Sequence, residues 1–569
     1  MKRCTGAQAV CSALEQLGVE HVFGLPGTQN ISFFEALRQS SLRTILATNE
    51  LAAAFMANGY YRASGRVGVL TTIPGPGFAW AVAGIAEASQ DSAALLYLVN
   101  KPAPGPGAKF NLQAIDQRAI LSPLVRRIIE VDQAQDISAG VSEAFAATTE
   151  GEPGPVLLQI DERAIASDTV ESASLAPRPT SHPEPDQIQE IADLLRNSAR
   201  AVLFVGQGAN GASKPLRELA EKLGAPVVAT RSARGVIPED HPLAMTFGFG
   251  EAGVRGLNTL LDQSDLILAV GCKLSHNGTY GFKLRFAKEK LIHVDASEDV
   301  LNANYPARLA VRSDAGAFLQ ALTKADSVWQ SRQSKWSTDE LAPGKGSRAT
   351  ASDLPEPKVQ GVKPPTPATF FAALNDALPP NSCLVTDSGL HQVLATRHFR
   401  VQGSRGMVIP SDFQSMGFGL PGAIGAKLSD PQRTVVALIG DGGLAMSGME
   451  LVTAVREKIP LTVIVFNDGA LGQIRLQQIS SYGHSHATDL RTPDLALFAQ
   501  ALGAKYVHLK GDAVACLHDV VTGGGVTLVE VSVGDLMALQ AVRAKGLARQ
   551  AARTYFNPSM LTWIKSRLT

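Results

Sequence analysis

Apolar residues recur in short β-branched runs separated by longer stretches of helical period. The runs are VGVLTTI (67–73), ALLYLV (94–99) and PVLLQI (155–160); AVLFVG (201–206), LILAVG (266–271) and LIHVD (291–295); CLVTD (383–387), TVVALIG (434–440) and LTVIVF (461–466). Strand, helix, strand at this spacing predicts parallel sheets covered by helices on both faces. Two stretches rich in Pro, Ser and charge, 167–186 and 330–366, lack that period and read as linkers. The expected fold is α/β, with three doubly wound parallel-sheet domains at 1–166, 187–329 and 367–540, followed by a tail at 541–569. In such folds ligands sit beyond the carboxyl ends of the strands.

With Lys plus Arg and Asp plus Glu both at 52, nothing in the balance recruits nucleic acid or an anionic membrane; a small polar metabolite is the expected partner. The five cysteines (Cys4, Cys11, Cys272, Cys383, Cys516) form no C-x-x-C pair and read as buried thiols of a reducing compartment. No apolar run reaches the roughly 20 residues of a membrane helix, and the start MKRCTGAQAV has no leader pattern, so the cytoplasm is expected.

The run 434–440 enters Gly440-Asp441-Gly442-Gly443, and the run 461–466 ends in Asn467-Asp468-Gly469. Two turns at the carboxyl ends of strands in one sheet can supply a carboxylate (Asp441), an amide oxygen (Asn467) and a backbone carbonyl near Gly469. Such oxygen donors suit Mg2+ shared with phosphate. Gly440, Gly442 and Gly443 let N–H groups approach that phosphate, with a helix expected to start near Met446. G-D-G followed about two dozen residues later by Asn is the thiamine-diphosphate motif, and the chain resembles the acetolactate synthase, pyruvate oxidase and benzaldehyde lyase family.

The resemblance extends along the chain. Val385-Thr386-Asp387-Ser388-Gly389-Leu390-His391-Gln392 is similar to a turn whose Gly389 and His391 would bind diphosphate. Gln414-Ser415-Met416-Gly417 is similar to the stretch whose methionine, here Met416, props the cofactor in its bent form. Glu50, in Thr48-Asn49-Glu50-Leu51-Ala52, matches the glutamate that favours the imino tautomer of the aminopyrimidine. The apolar first turns of the helix after it promise that carboxyl a dry setting. Val22-Phe23-Gly24-Leu25-Pro26-Gly27 resembles the first active-site loop, Pro74-Gly75-Pro76-Gly77 the G-P-G turn, and Gln113 the glutamine that reaches the substrate carbonyl.

In this family the glutamate of one subunit meets the diphosphate site of another. The resemblance therefore implies an obligate homodimer, assembling further to a homotetramer. It also assigns the three domains to pyrimidine binding, a central role and diphosphate binding. Asn49 stands where the family usually has His, Trp80 where Asn is common, and Gln29 where relatives carry His in the first loop.

In the middle domain, Gly206-Gln207-Gly208-Ala209-Asn210-Gly211 satisfies G-x-G-x-x-G, but the following strand ends in Arg231-Ser232 rather than in the acid a nicotinamide site needs. Relatives hold FAD, ADP or nothing in this domain. Here Cys272-Lys273-Leu274-Ser275-His276-Asn277 replaces the arginine and paired aspartates of the acetolactate synthases, which puts FAD in question.

The tail, with Arg543, Lys545, Arg549, Arg553, Lys565 and Arg567, reads as a solvated helix or as a basic lid. The implied activity is carbon–carbon bond chemistry on a 2-oxo acid or aldehyde. Decarboxylation with carboligation of the acetolactate-synthase type stands first, and Leu476-Gln477-Gln478 occupies the position expected to carry that enzyme's tryptophan. Alternatives are a lyase of 2-hydroxy ketones or 2-hydroxyacyl-CoA compounds, a non-catalytic relative and a nicotinamide dehydrogenase.

Overall fold

The computed structural model describes residues 3–101, 107, 111–170, 181–246, 251–325, 334–341, 344, 367–509 and 517–532. It contains three sheets of six strands, parallel throughout, with helices on both faces. The N-terminal sheet runs Arg43–Leu46, His21–Gly24, Gly68–Thr72, Leu95–Lys101, Pro155–Asp161, Arg127–Val131 in spatial order. The middle sheet runs Ala244–Met245, Val227–Ala229, Ala201–Val205, Leu266–Val270, Leu291–Asp295, Leu309–Arg312. The C-terminal sheet runs Met407–Val408, Cys383–Thr386, Val435–Gly440, Leu461–Asn467, Val526–Ser532, Lys505–Leu509.

Each sheet grows first to one side of its opening strand and then to the other, and the crevice of a doubly wound sheet lies where that reversal occurs. In the N-terminal sheet the reversal falls between His21–Gly24 and Gly68–Thr72, so the turns after residues 24 and 72 face each other. In the C-terminal sheet it falls between Cys383–Thr386 and Val435–Gly440, which brings the turn at 387–391 beside the one at 440–443. In the middle sheet it separates Ala201–Val205 from Leu266–Val270.

The expected linkers are not free of structure. Asp168–Val170 pairs antiparallel with Arg3–Thr5, closing the first domain on its own start. Trp336 lies within the second stretch, yet its indole Nε1 donates to the Ala201 carbonyl at 3.0 Å, followed by the short helix Thr338–Leu341. Edge pairing and a single half-buried ring need no apolar period, so periodicity missed both. The basic tail and Cys516 lie outside the described residues; Cys4, Cys11, Cys272 and Cys383 are buried thiols outside any disulfide among the described residues. Among the described residues, no helix is long and apolar enough to cross a membrane.

The middle domain has its own apolar core, whereas the first and third share one that runs from Phe23 and Tyr97 through Phe55 and Phe418 to Leu528. At its centre helix Glu50–Ser64 crosses helix Gly419–Ser429 with backbone against backbone. A Cβ on Gly59 would stand 2.1 Å from the Gly422 carbonyl oxygen, and one on Gly425 would stand 1.9 Å from that of Met56. Phe55 and Phe418 close the crossing edge to face, 5.4 Å apart. A methyl group here forces the helices apart, whereas at Gly211 nothing lies within 4 Å of the added carbon. Gly425→Ala is expected to destabilise by about 1–3 kcal/mol and Gly211→Ala by less than about 0.5 kcal/mol, read from denaturant unfolding. Equal effects would mean that the crossing is not close-packed.

Candidate active site

The turns at the C-terminal switch point form a cleft lined by Ser388, Gly389, His391, Met416, Gly440, Asp441, Gly442, Gly443 and Asp468. Gly389 opens helix Leu390–His398 with φ +146°, and a Cβ there would meet the His391 ring at 2.9 Å. His391 is buried; its Nε2 lies 3.0 Å from the Asp387 carbonyl, which can only accept, so Nε2 carries the proton and Nδ1 is left bare. Burial holds its pKa down at about 4, so the ring is neutral at pH 7. Asp387 beneath it is fully buried, and burial pushes its carboxyl up to about 7 against N–H bonds from Ser388 and Gly417. Gly443 is obligatory for this packing, since its Cβ would fall 2.1 Å from Asp387 Oδ2.

Helix Asp441–Ser447 begins at Asp441, with Gly440 as its N-cap, one turn earlier than the expected start near Met446. The glycines that argued for a loop are helical because Met416 and Asp387 leave no room for side chains: Met416 Cε would be 3.1 Å from a Cβ at Gly442. Asp441 Oδ2 and Asn467 Oδ1 converge on one hydroxyl, Thr492 Oγ1, at 3.1 and 3.2 Å. Asn467 presents its oxygen to this point because its Nδ2 donates to Glu530 Oε1 at 2.8 Å, and Glu530 is held in turn by the Tyr506 hydroxyl at 2.6 Å. The Gly469 carbonyl accepts the Leu490 N–H at 2.8 Å, which leaves one lone pair for a cation.

Burial raises the Asp441 carboxyl, and burial followed by the Asp441 charge raises Asp468 to about 6. Two crowded carboxyls beside an amide oxygen form a donor set for a hard cation, which would relieve their repulsion. The glycine-lined cleft, the His391 ring and these oxygens fit a magnesium diphosphate.

The second group lies at the N-terminal switch point. Glu50 opens its helix after Asn49, whose side chain caps it by accepting the Ala52 N–H at 2.8 Å. Its Oε1 would be 2.8 Å from a Cβ on Gly77, so the carboxyl lies against the turn Pro74–Gly77. The setting is half-buried rather than dry. Gln29 Nε2 donates to Gln113 Oε1, while Asn100 Nδ2 holds the Gln29 carbonyl. Gly75, at φ +67°, admits Gln113, whose Cβ would be 2.7 Å from an added methyl. Gly27 is anchored through its N–H to Asn30 Oδ1 at 2.7 Å.

These two groups are separate within the chain: neither Glu50 nor Gln29 nor Gln113 lines the cleft of Asp441. Gln414, expected beside the cofactor, spends its amide on the Pro410 and Ser411 carbonyls and on Ser388, fixing the turn that carries Met416. Thr492, Glu530 and Asn100 have no local motif and were not readable, while Asp387 stood in the quoted turn at 385–392 with no role assigned to it. In the middle domain the G-x-G-x-x-G residues wind into a 3-10 helix, Gln207–Gly211, and Gln207 donates to the Asp91 carbonyl at 2.9 Å. No α-helix opens on those glycines, and Gly206 is small because its Cβ would be 2.2 Å from the Gly271 carbonyl. The segment serves domain contact and borders a cavity of about 840 Å³ between the three domains, lined among others by Gln90, Gly208, Arg231, Lys273 and Arg405.

Comparison with known proteins accords with this geometry. The N-terminal TPP binding domain of thiamine pyrophosphate enzymes matches residues 4–120, their central domain 188–322 and their C-terminal TPP binding domain 387–531. The chain is 30% identical over 520 residues to a probable acetolactate synthase large subunit of Methanocaldococcus jannaschii, covering 88% of this chain and 86% of that protein. It is 32% identical to the acetolactate synthase of Mycobacterium bovis, with 88% and 83% covered. It is 31% identical to a probable 2-ketoarginine decarboxylase of Pseudomonas aeruginosa, with 93% and 94% covered.

Buried carboxyls also fasten the first domain to the Met416 turn. Asp91 pairs with Arg62 at 2.6 Å and accepts the N–H groups of Ser411 and Asp412 at 3.0 Å, while Glu87 Oε2 accepts that of Ser415 at 2.9 Å. Burial, then the Asp91 charge, holds the Glu87 carboxyl well above its usual range. A raised carboxyl contributes stability that is complete below its ordinary value and is lost as pH rises through the raised one. Glu87→Gln keeps the Ser415 hydrogen bond through its amide oxygen and has no proton to lose. Its unfolding temperature should therefore fall less than that of the unmodified protein between about pH 5 and pH 9, with Asp387 contributing equally to both. Parallel curves would show that Glu87 titrates like an exposed acid.

Proposed function

Since this chain belongs to the thiamine pyrophosphate enzyme family, a thiamine-diphosphate-dependent decarboxylase and carboligase of the acetolactate-synthase type, we propose that it decarboxylates a 2-oxo acid such as pyruvate and joins the remaining two-carbon unit to a second carbonyl. The observation that carries the reading is the convergence of Asp441 and Asn467 oxygens on Thr492 Oγ1 at a glycine-lined cleft. Asp441, Asn467 and the Gly469 carbonyl would hold Mg2+. Gly389, His391, Gly440, Gly442 and Gly443 would receive the diphosphate, and Met416 would support the bent cofactor. Gly27, Pro74 and Gly75 would border the aminopyrimidine. When bound, the cofactor supplies a carbanionic carbon that adds to a carbonyl and accepts the electron pair of the breaking bond.

The chain's own residues do the rest. Glu50 would exchange a proton with the aminopyrimidine ring nitrogen, and its half-buried carboxyl would lose water where a second chain covers it. Gln29 and Gln113, bonded to each other, offer amide groups to the substrate carbonyl without a charge. For His391 to donate through Nδ1 to a phosphate oxygen it must take up a second proton, which the diphosphate charge favours. Decarboxylation with ligation is redox-neutral, so this reaction asks nothing of a flavin in the central cavity.

The separation of Glu50 from the Asp441 cleft supports a homodimer in which each site takes one group from each chain, and a homotetramer of two such pairs. Exposed Trp80, Met446 and Met449, at 63%, 62% and 52%, flank the two groups in sequence and suit that interface. The reduced, buried cysteines suit the cytoplasm.

Glu50→Gln should keep magnesium-dependent cofactor binding and lose about 10²- to 10⁴-fold in kcat, while Asp441→Ala should lose the binding itself. Full activity in Glu50→Gln would remove the core of the reading. The enzyme stripped and resupplied with thiamine diphosphate and Mg2+ should turn over pyruvate, followed through carbon dioxide, acetaldehyde and acetolactate together. Cofactor binding without pyruvate turnover would assign the lyase of 2-hydroxy ketones or 2-hydroxyacyl-CoA compounds instead.

A further inference from the structure

Glu450 belongs to helix Glu450–Arg456 of the third domain, nine residues after Asp441, and its side chain is completely buried. Its carboxylate leaves its own domain. Oε1 accepts both the backbone N–H of Thr48, at 2.9 Å, and the Thr48 hydroxyl, while Oε2 accepts Thr453 Oγ1 at 2.7 Å. From Thr48 the contacts continue without a break. Asn49 Nδ2 donates to Thr48 Oγ1 at 3.3 Å, and Asn49 Oδ1 accepts the Ala52 N–H at the first turn of the helix that Glu50 opens.

The same helix grips the strand leading into this turn. Arg456 donates to the Leu46 carbonyl, and Glu457 pairs with Arg43 at 3.2 Å. Arg43, Arg456 and Glu457 are partly exposed and contribute little individually. Glu450 is not, and a buried carboxylate saturated by hydrogen bonds fixes the groups that donate to it.

We propose that Glu450 is the positioning residue of Glu50: through Thr48 and the Asn49 cap it sets the place and direction of the Glu50 carboxyl, although it touches neither cofactor nor substrate. The proposal rests on the reading of Glu50 given above. It distinguishes a hydrogen-bond relay from plain adhesion between domains, because adhesion would change stability alone. Misplacing a catalytic group by about 1 Å costs on the order of 10²-fold in rate, a much larger effect than one exposed ion pair can have on the fold.

The test is the rate of hydrogen–deuterium exchange at the reactive ring carbon of bound thiamine diphosphate, measured by quenched NMR on the magnesium-loaded enzyme without substrate, beside the cofactor's Kd. Glu450→Ala should slow exchange by about 10- to 100-fold and leave the Kd within about threefold, since Glu450 is not among the residues that would hold the diphosphate or the Mg2+. Glu450→Gln should restore exchange: its oxygen still serves Thr48, and its NH2 donates to Thr453 Oγ1, whose proton turns to the Leu46 carbonyl 3.5 Å away.

The double variant Glu50→Gln/Glu450→Ala should exchange no more slowly than Glu50→Gln alone, as expected of two groups acting through one path. If Glu450→Ala does not fold, Thr48→Val removes the hydroxyl arm of the relay and should slow exchange in the same sense. Normal exchange in a folded Glu450→Ala or Thr48→Val, or multiplying losses in the double variant, would overturn the proposal while leaving Glu50 in place. Normal exchange in Glu50→Gln would overturn the reading of Glu50 and the relay with it.

Discussion

The crossing of helices Glu50–Ser64 and Gly419–Ser429 is the contact on which the rest depends. Gly59, Gly422 and Gly425 let two backbones touch, so the distance between the first and third domains is set by main chain rather than by side chains that could repack. Everything catalytic hangs from the ends of these helices and of the strands beside them. Glu50 begins one helix, and Met416 and Gly417 lie just before Phe418, the N-cap of the other. Close packing of this kind makes the placement of both groups a property of the shared core and not of the loops that carry them.

The domains then fasten each other's turns with buried acids. Glu450 of the third reaches Thr48 beside Glu50, while Glu87 and Asp91 of the first reach Ser411, Asp412 and Ser415 beside Met416. Each of these acids is itself buried and finds its backbone donors across the domain boundary, where a buried carboxylate without partners would be costly. The arrangement leaves Glu50 half-buried and the Asp441 cleft open in a single chain, and those are the surfaces a second copy is proposed to cover.

The strands were readable because parallel sheets buried on both faces require unbroken β-branched runs, as at 434–440 and 461–466. The three doubly wound sheets followed from them. The pairing of Asp441 with Asn467 was visible as a motif because both lie at strand ends of one sheet. Helix starts were less visible: Gly442 and Gly443 have poor helical propensity and read as loop, yet tertiary crowding by Met416 and Asp387 makes them necessary inside a helix. Thr492, Glu530, Glu87 and Glu450 stayed hidden because each acts on a partner far away in sequence, where composition and spacing say nothing. Trp336 and Asp168–Val170 show the same limit in stretches whose polarity suggested linkers.

A core shared by residues from both ends of the chain has a consequence for synthesis. The apolar face of helix Glu50–Ser64 leaves the ribosome long before residues 419–429 exist to cover it, with the whole middle domain translated in between. That middle domain has its own core and can complete it first, while the first domain waits with an uncovered stripe of alanine, phenylalanine and tyrosine. Vectorial folding of this enzyme therefore runs out of chain order, and the nascent N-terminal domain is the stage at which chaperone protection against aggregation counts most.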